Sequence, residues 1–202
     1  EFAGREGRES SGSGSGGSGS GGGGGGDETA GDWVGLVRRS KPMVAAINGP
    51  AVGVGLTLLL PMEFLVAGAS ARVSARFVRM GLVPELASSH FLVQRCGWGA
   101  ASDLALSGRM VPADEAVNLR LVDDVVADDA LLDAAIARAT TYAENPPPAV
   151  RMIKELLTQN GAEPDLSLVQ RRELSSLNDA FRTPEHKEAV AAFLEKREPK
   201  FR

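Results

Sequence analysis

The sequence predicts an α/β fold that ends in an all-helical region, and two observations carry this. Within 43–76, short apolar runs alternate with glycine-containing turns in the order strand, turn, helix, strand, which is the pattern of an α/β layer. From Pro84 onward apolar residues recur at helical spacing, with glycines as stops. A third observation bounds the packed part. The chain has 202 residues and 43% hydrophobic content, yet the first thirty or so positions are nearly free of apolar side chains.

Residues 1–32 are expected to be a mobile segment, because the Gly/Ser tract at 10–26 offers nothing to bury against the entropy of ordering it. It is not a phosphate-cradling loop, since no Lys-Ser/Thr pair and no helix follow the glycines. An α/β core is expected over 33–126. A short helix spans 33–39, and MVAAI at 43–47 reads as a buried strand that Asn48-Gly49-Pro50 breaks. Gly53-Val54-Gly55 opens a short buried helix at 56–60. Strands follow at 64–67 and 73–76, with a turn at Gly68 between them. Helices are expected at 85–95, 99–106 and 112–118, with Gly97, Gly99 and Gly108 as stops, and a strand at 121–126. The remainder, 127–202, reads as helical: 131–142, ended by Pro146-Pro147-Pro148, then 149–157, 166–177 and 184–196.

Bulk properties exclude several classes. A net charge of −4 and a pI near 5.3 argue against a nucleic-acid partner. No apolar run reaches the ~18–20 residues of a membrane span. Cys96 is the single cysteine, so no intrachain disulfide framework exists; with no signal peptide visible, a reducing, cytoplasmic location is expected. No histidine accompanies the acidic pairs Asp123-Asp124 and Asp128-Asp129, which read as loop edges and a helix cap; no metal site is expected. His90 reads as a packed or surface histidine and His186 as solvent-facing.

KPMVAAINGPAVGVGLTL at 41–58 resembles the signature KPxxAAxNGxAxGGGxEL of the crotonase superfamily, the enoyl-CoA hydratase/isomerase family. ARVSARFVRMGLVPE at 71–85, LALSGRMVPADEAVNLRLVDDVV at 104–126 and AAFLEKREPKFR at 191–202 match further blocks in one collinear register. The resemblance implies a crotonase-like ββα spiral core, here partial, with a C-terminal α-helical trimerisation region and a homotrimer or dimer of trimers. It also implies that the family's opening strands, with the A-G-x-D loop that supplies one oxyanion donor, have no counterpart in these residues.

The implied chemistry is stabilisation of an enolate on an acyl-CoA thioester, with coenzyme A as part of the substrate and no separate cofactor. Two preorganised N–H groups must aim at one oxygen. The Val54 N–H, in the middle of the glycine triplet, occupies one donor position, with Gly53 and Gly55 beside it; a plain tight turn is the other reading of these residues. The two glutamates of the family's hydratases fall on Thr57 and Phe77, neither of which can serve as a carboxylate. Glu85 matches the position of the catalytic acid in the family's Δ3,Δ2-enoyl-CoA isomerases. Such a base needs a mostly apolar pocket, for which Phe77, Val78, Leu82 and Val83 are the expected walls. Pro84-Glu85 also reads as a helix start, where the carboxylate would offset the helix dipole. Ser88 and Ser89 are either partners of that carboxylate or small packing residues. Lys196 and Lys200 are implied contacts for CoA phosphates, though a solvated basic face explains them equally. The expected activity is an isomerase of acyl-CoA metabolism; a hydratase or other crotonase reaction with a rearranged base, or a non-catalytic acyl-CoA-binding protein of the same fold, remains open.

Overall fold

A computed structural model describes residues 32–201; the Gly/Ser segment at 1–31 lies outside them, and with it most of the stretch expected to be mobile. The chain opens with α1 (Trp33–Arg39), capped by Asp32, whose side chain accepts the Gly35 N–H at 2.8 Å. Then come β1 (Val44–Ile47), β2 (Pro50–Val52), α2 (Val54–Thr57), β3 (Phe64–Gly68) and β4 (Arg72–Ser74). A 3-10 turn at Arg76–Met80 leads to α3 (Ser88–Ser107), β5 (Val111–Pro112), α4 (Ala113–Asn118) and β6 (Asp124–Val126). After a second 3-10 turn at Asp128–Ala130, four helices close the chain: α5 (Leu131–Ala143), α6 (Pro147–Asn160), α7 (Leu166–Phe181) and α8 (Pro184–Glu195).

The strands form two sheets. One has the order β1-β3-β6 and is parallel throughout, with Val44 opposite Phe64 and Val66 opposite Asp124. The other has the order β2-β4-β5, parallel between β2 and β4 and antiparallel between β4 and β5. The chain therefore deposits one strand in each sheet, as β1 then β2 and again as β3 then β4, and advances by one position per turn. This is the ββα spiral that the resemblance implies.

Burial explains why β3 reads as a continuous apolar run. Leu65 and Ala67 face the main core, with Leu56, Leu60, Val73, Leu92, Leu104, Val111 and Leu121. Val66 faces the other way, into a smaller cluster with Leu131 and Ala135 of α5. A strand covered on both faces loses the alternation that a half-exposed strand shows.

Several boundaries differ from the sequence expectations. β1 ends at Ile47, as expected, but Pro50 then starts a strand the sequence did not suggest, β2, at the first position of an edge strand, where a missing N–H costs nothing. The strand expected at 73–76 stops at Ser74, and the one expected at 121–126 is confined to Asp124–Val126, because Leu121 and Val122 are core residues before it. The proline run does not end α5, which stops at Ala143; Pro147 instead starts α6, where a proline's fixed φ suits the first turn. Gly97 does interrupt the long helix α3, with φ 74° and ψ 168°. Among the described residues no helix is long and apolar enough to cross a membrane.

Candidate active site at the glycine turn

β2 ends at Gly53, whose N–H donates to the Ser74 carbonyl at 2.9 Å. Its φ of 57° and ψ of −121° lie where a side chain would be strained. That conformation turns the chain sharply into α2. The Leu56 and Thr57 N–H groups both donate to the Gly53 carbonyl at 3.0 Å, whereas the Val54 N–H has no acceptor among the described residues. A side chain at Gly55 would meet nothing within 4 Å, so the turn borders open space. At Gly53 a Cβ would approach the Phe77 ring at 3.9 Å, which makes Phe77 a wall of that space. Val54 itself is half-exposed.

Thr57 closes α2 and is fully buried. Its hydroxyl donates to Glu85 Oε1 at 2.7 Å, with the Val54 carbonyl as a second acceptor at 3.3 Å. Two positions 28 residues apart in sequence are thereby joined. Thr57, expected as a pocket residue standing where the hydratases carry a glutamate, hydrogen-bonds the Glu85 carboxylate.

Glu85 differs from expectation in two respects. It does not start α3, which begins at Ser88 after Leu86 and Ala87, both left-handed with φ of 53° and 54°. The Ser88 N–H donates to the Glu85 carbonyl at 2.9 Å, so the main chain of Glu85, not its carboxylate, meets the helix end. The charge–dipole reading of Pro84-Glu85 is therefore corrected. Two successive non-glycine residues at positive φ cost on the order of 1–3 kcal/mol each, a strain often found at functional sites. Nor is Glu85 enclosed by an apolar pocket: its side chain is exposed, and Leu82 and Val83 are 62% and 79% exposed. The 3-10 turn carries these residues outward after Gly81, because the Leu82 N–H returns to the Phe77 carbonyl.

Neither serine orients the carboxylate by hydrogen bonding. Ser88 is buried, and its hydroxyl has no partner among the described residues. His90 lies exposed beside the Phe91 ring, and His186 packs edge-on against Phe181 at 5.2 Å, half-buried rather than solvent-facing. Lys196 ends α8 with φ 54°, and the Lys200 N–H donates to Glu188; no hydrogen bond or ion pair joins either lysine to Thr57 or Glu85. Asp123 accepts the Leu65 N–H and pairs with Arg95, while Asp128 accepts the Ser70 N–H. Hydrogen bonds from the Ser70 N–H and side chain hold the Asp128 carboxyl below the usual range. Partial burial pushes the Cys96 thiol up. Among the described residues no cluster of His, Cys, Asp or Glu could hold a metal ion.

The sequence pattern of the enoyl-CoA hydratase/isomerase family matches residues 26–202. The chain belongs to this family. It is 35% identical over 172 residues to a probable enoyl-CoA hydratase of Rhizobium meliloti, covering 85% of this chain and 66% of that protein. It is 34% identical over 171 residues to the 2,3-dehydroadipyl-CoA hydratase of Escherichia coli, covering 84% and 66%. A crystal structure of an enoyl-CoA hydratase from Polaromonas sp. JS666 superimposes with a TM-score of 0.80 at 30% identity, over 87% of this chain and 68% of that one. The chain thus spans just under two thirds of the length of the curated relatives it matches. Family membership identifies the two-sheet spiral as a crotonase fold.

Proposed function

We propose that this protein acts on acyl-CoA thioesters as a Δ3,Δ2-enoyl-CoA isomerase, with Glu85 as its single acid/base and the Val54 N–H as an oxyanion donor. The observation that carries this reading is the 2.7 Å hydrogen bond from Thr57 to Glu85, which ties the Glu85 carboxylate to the helix opened by Val54. Thr57 and Phe77 stand where syn hydration would need carboxylates, so a water between two glutamates has no counterpart here.

One carboxylate suffices for isomerisation. Glu85 takes the proton from C2 of a 3-enoyl thioester; the C–H electrons pass into a dienolate whose charge rests on the thioester oxygen. The Val54 N–H donates to that oxygen. The O–H bond formed on Glu85 then breaks, the proton goes to C4, and the double bond lies between C2 and C3. Coenzyme A enters as part of the substrate, and the scheme uses no metal or nicotinamide.

Hydration with a rearranged base is the second reading, favoured by the hydratase names of the relatives. A non-catalytic acyl-CoA-binding role is the third. Exchange of the C2 protons of an acyl-CoA with deuterated water separates an enolising enzyme from a binding protein, and conversion of 3-hexenoyl-CoA separates an isomerase from a hydratase. Glu85→Gln is expected to lower that conversion by at least ~10²-fold, with acyl-CoA affinity little changed. Conversion at the parent rate would end the assignment.

A homotrimer or dimer of trimers is proposed on the exposed apolar side chains of α7 and α8, among them Leu174, Leu177, Phe181 and Phe193. Light scattering that found only monomer at micromolar concentration would remove this proposal.

A further inference from the structure

We propose that Thr57 is a positioning residue of this site: its hydroxyl holds Oε1 of Glu85 and leaves Oε2 as the oxygen that carries the proton. The inference rests on the reading of Glu85 as the acid/base. Oε1 accepts from Thr57 at 2.7 Å, whereas Oε2 takes no hydrogen bond among the described residues. Thr57 is buried to 0% exposure in the main core's neighbourhood, so its rotamer is set by packing while Glu85 reaches out from a surface loop. An exposed glutamate samples many rotamers; one fixed donor removes most of that freedom, and holding a base in a reactive geometry lowers the barrier to proton transfer.

The hydroxyl also suits a group that must exist in two protonation states. It has one proton and two acceptors in reach, Glu85 Oε1 at 2.7 Å and the Val54 carbonyl at 3.3 Å. Toward the carboxylate it donates. When Glu85 holds the substrate's proton and its charge is gone, the same proton can turn to the Val54 carbonyl, and neither state leaves the hydroxyl unpaired. A methyl group in its place would offer neither bond. A carboxylate in its place would set two like charges side by side.

The test compares Thr57→Val, Thr57→Ser and Glu85→Gln, with 3-hexenoyl-CoA as substrate. Thr57→Val keeps the shape and deletes the hydroxyl. It is expected to lower kcat about tenfold or more while KM stays within about twofold, and Thr57→Ser is expected to restore kcat to within about threefold of the parent. Should Thr57→Val not fold, Thr57→Ala relieves the packing and carries the same expectation. A folded Thr57→Val or Thr57→Ala with parent kcat, beside an inactive Glu85→Gln, overturns the positioning role and leaves the acid/base reading standing. Loss in Thr57→Ser equal to that in Thr57→Val also overturns it, since packing alone would then be responsible. An active Glu85→Gln overturns the reading beneath both.

Discussion

Two regions of the molecule hold charged side chains in opposite ways. At the glycine turn Glu85 is exposed and has one side-chain hydrogen bond, from Thr57. Where α1, β1, β3 and α6 meet, Lys154 is 6% exposed and its ammonium has several partners. It pairs with Glu63 at 3.0 Å and donates to the Val37 and Lys41 carbonyls at 2.7 and 3.1 Å. Glu63 in turn accepts the Met43 N–H at 2.7 Å. Beside it Arg95 donates to the Leu60 and Met62 carbonyls and pairs with Asp123. A charge with several partners cannot move without breaking several bonds, so it fastens elements together. A charge held by one bond is free to move. The two regions differ in the number of bonds each charge makes, and the proposed chemistry uses the less restrained one.

The largest effect that would test this division is on stability. Removing one partner of a buried ion pair leaves the other uncompensated, so Lys154→Met is expected to cost about 3–5 kcal/mol in urea unfolding. A cost below about 1 kcal/mol would show that Glu63 finds water or another cation, and the contrast would weaken. Glu85→Gln should behave in the opposite sense. Its side chain is exposed, so its stability should stay within about 0.5 kcal/mol of the parent while isomerisation falls. A marked drop in melting temperature for that variant would move Glu85 to the structural side.

The smallest effect concerns the C-terminal tail. Glu188 receives hydrogen bonds from the Arg197 guanidinium and the Lys200 N–H, which push its carboxyl down from an ordinary 4.5 to about 2. A folded-state value below the unfolded one favours folding above the unfolded pKa, and the advantage is lost as pH falls through the folded value. The gap in melting temperature between the parent and Glu188→Gln should therefore be full above pH 4.5 and close toward pH 2. A gap constant across that range would mean that the Arg197 pair contributes nothing specific to the ionised form.

Much of the fold was legible because its causes are local. MVAAI needed only its apolar run, and Gly53 its backbone freedom, to mark β1 and the turn into α2. The strand β2 was missed because tolerance of Pro50 in it depends on which side of the strand has a neighbour. The start of α3 was misread because Pro84-Glu85 has the composition of a helix start, whereas the positive φ values at Leu86 and Ala87 delay the helix to Ser88. For the candidate site, the resemblance pointed to Val54, Phe77 and Glu85, but the partner of Glu85 was sought at Ser88 and Ser89, one turn away. Lys154 carried no signal, since a lysine on an amphipathic helix ordinarily faces water.

Side-chain identity alone marked β1, β3, β4, β6 and the C-terminal helices, but not the short β2 and β5, and it fixed the sharp glycine turn and the absence of carboxylates at positions 57 and 77. These follow from side-chain identity and from backbone preferences acting over a few residues. Tertiary structure alone decided that Thr57 meets Glu85 across 28 residues and that Lys154 reaches the Val37 carbonyl across 117. The physical reason is that a hydrogen bond is made only within about 3.5 Å. Which groups come that close is set by how the sheets and helices pack, so no local pattern along the chain can announce the pairing.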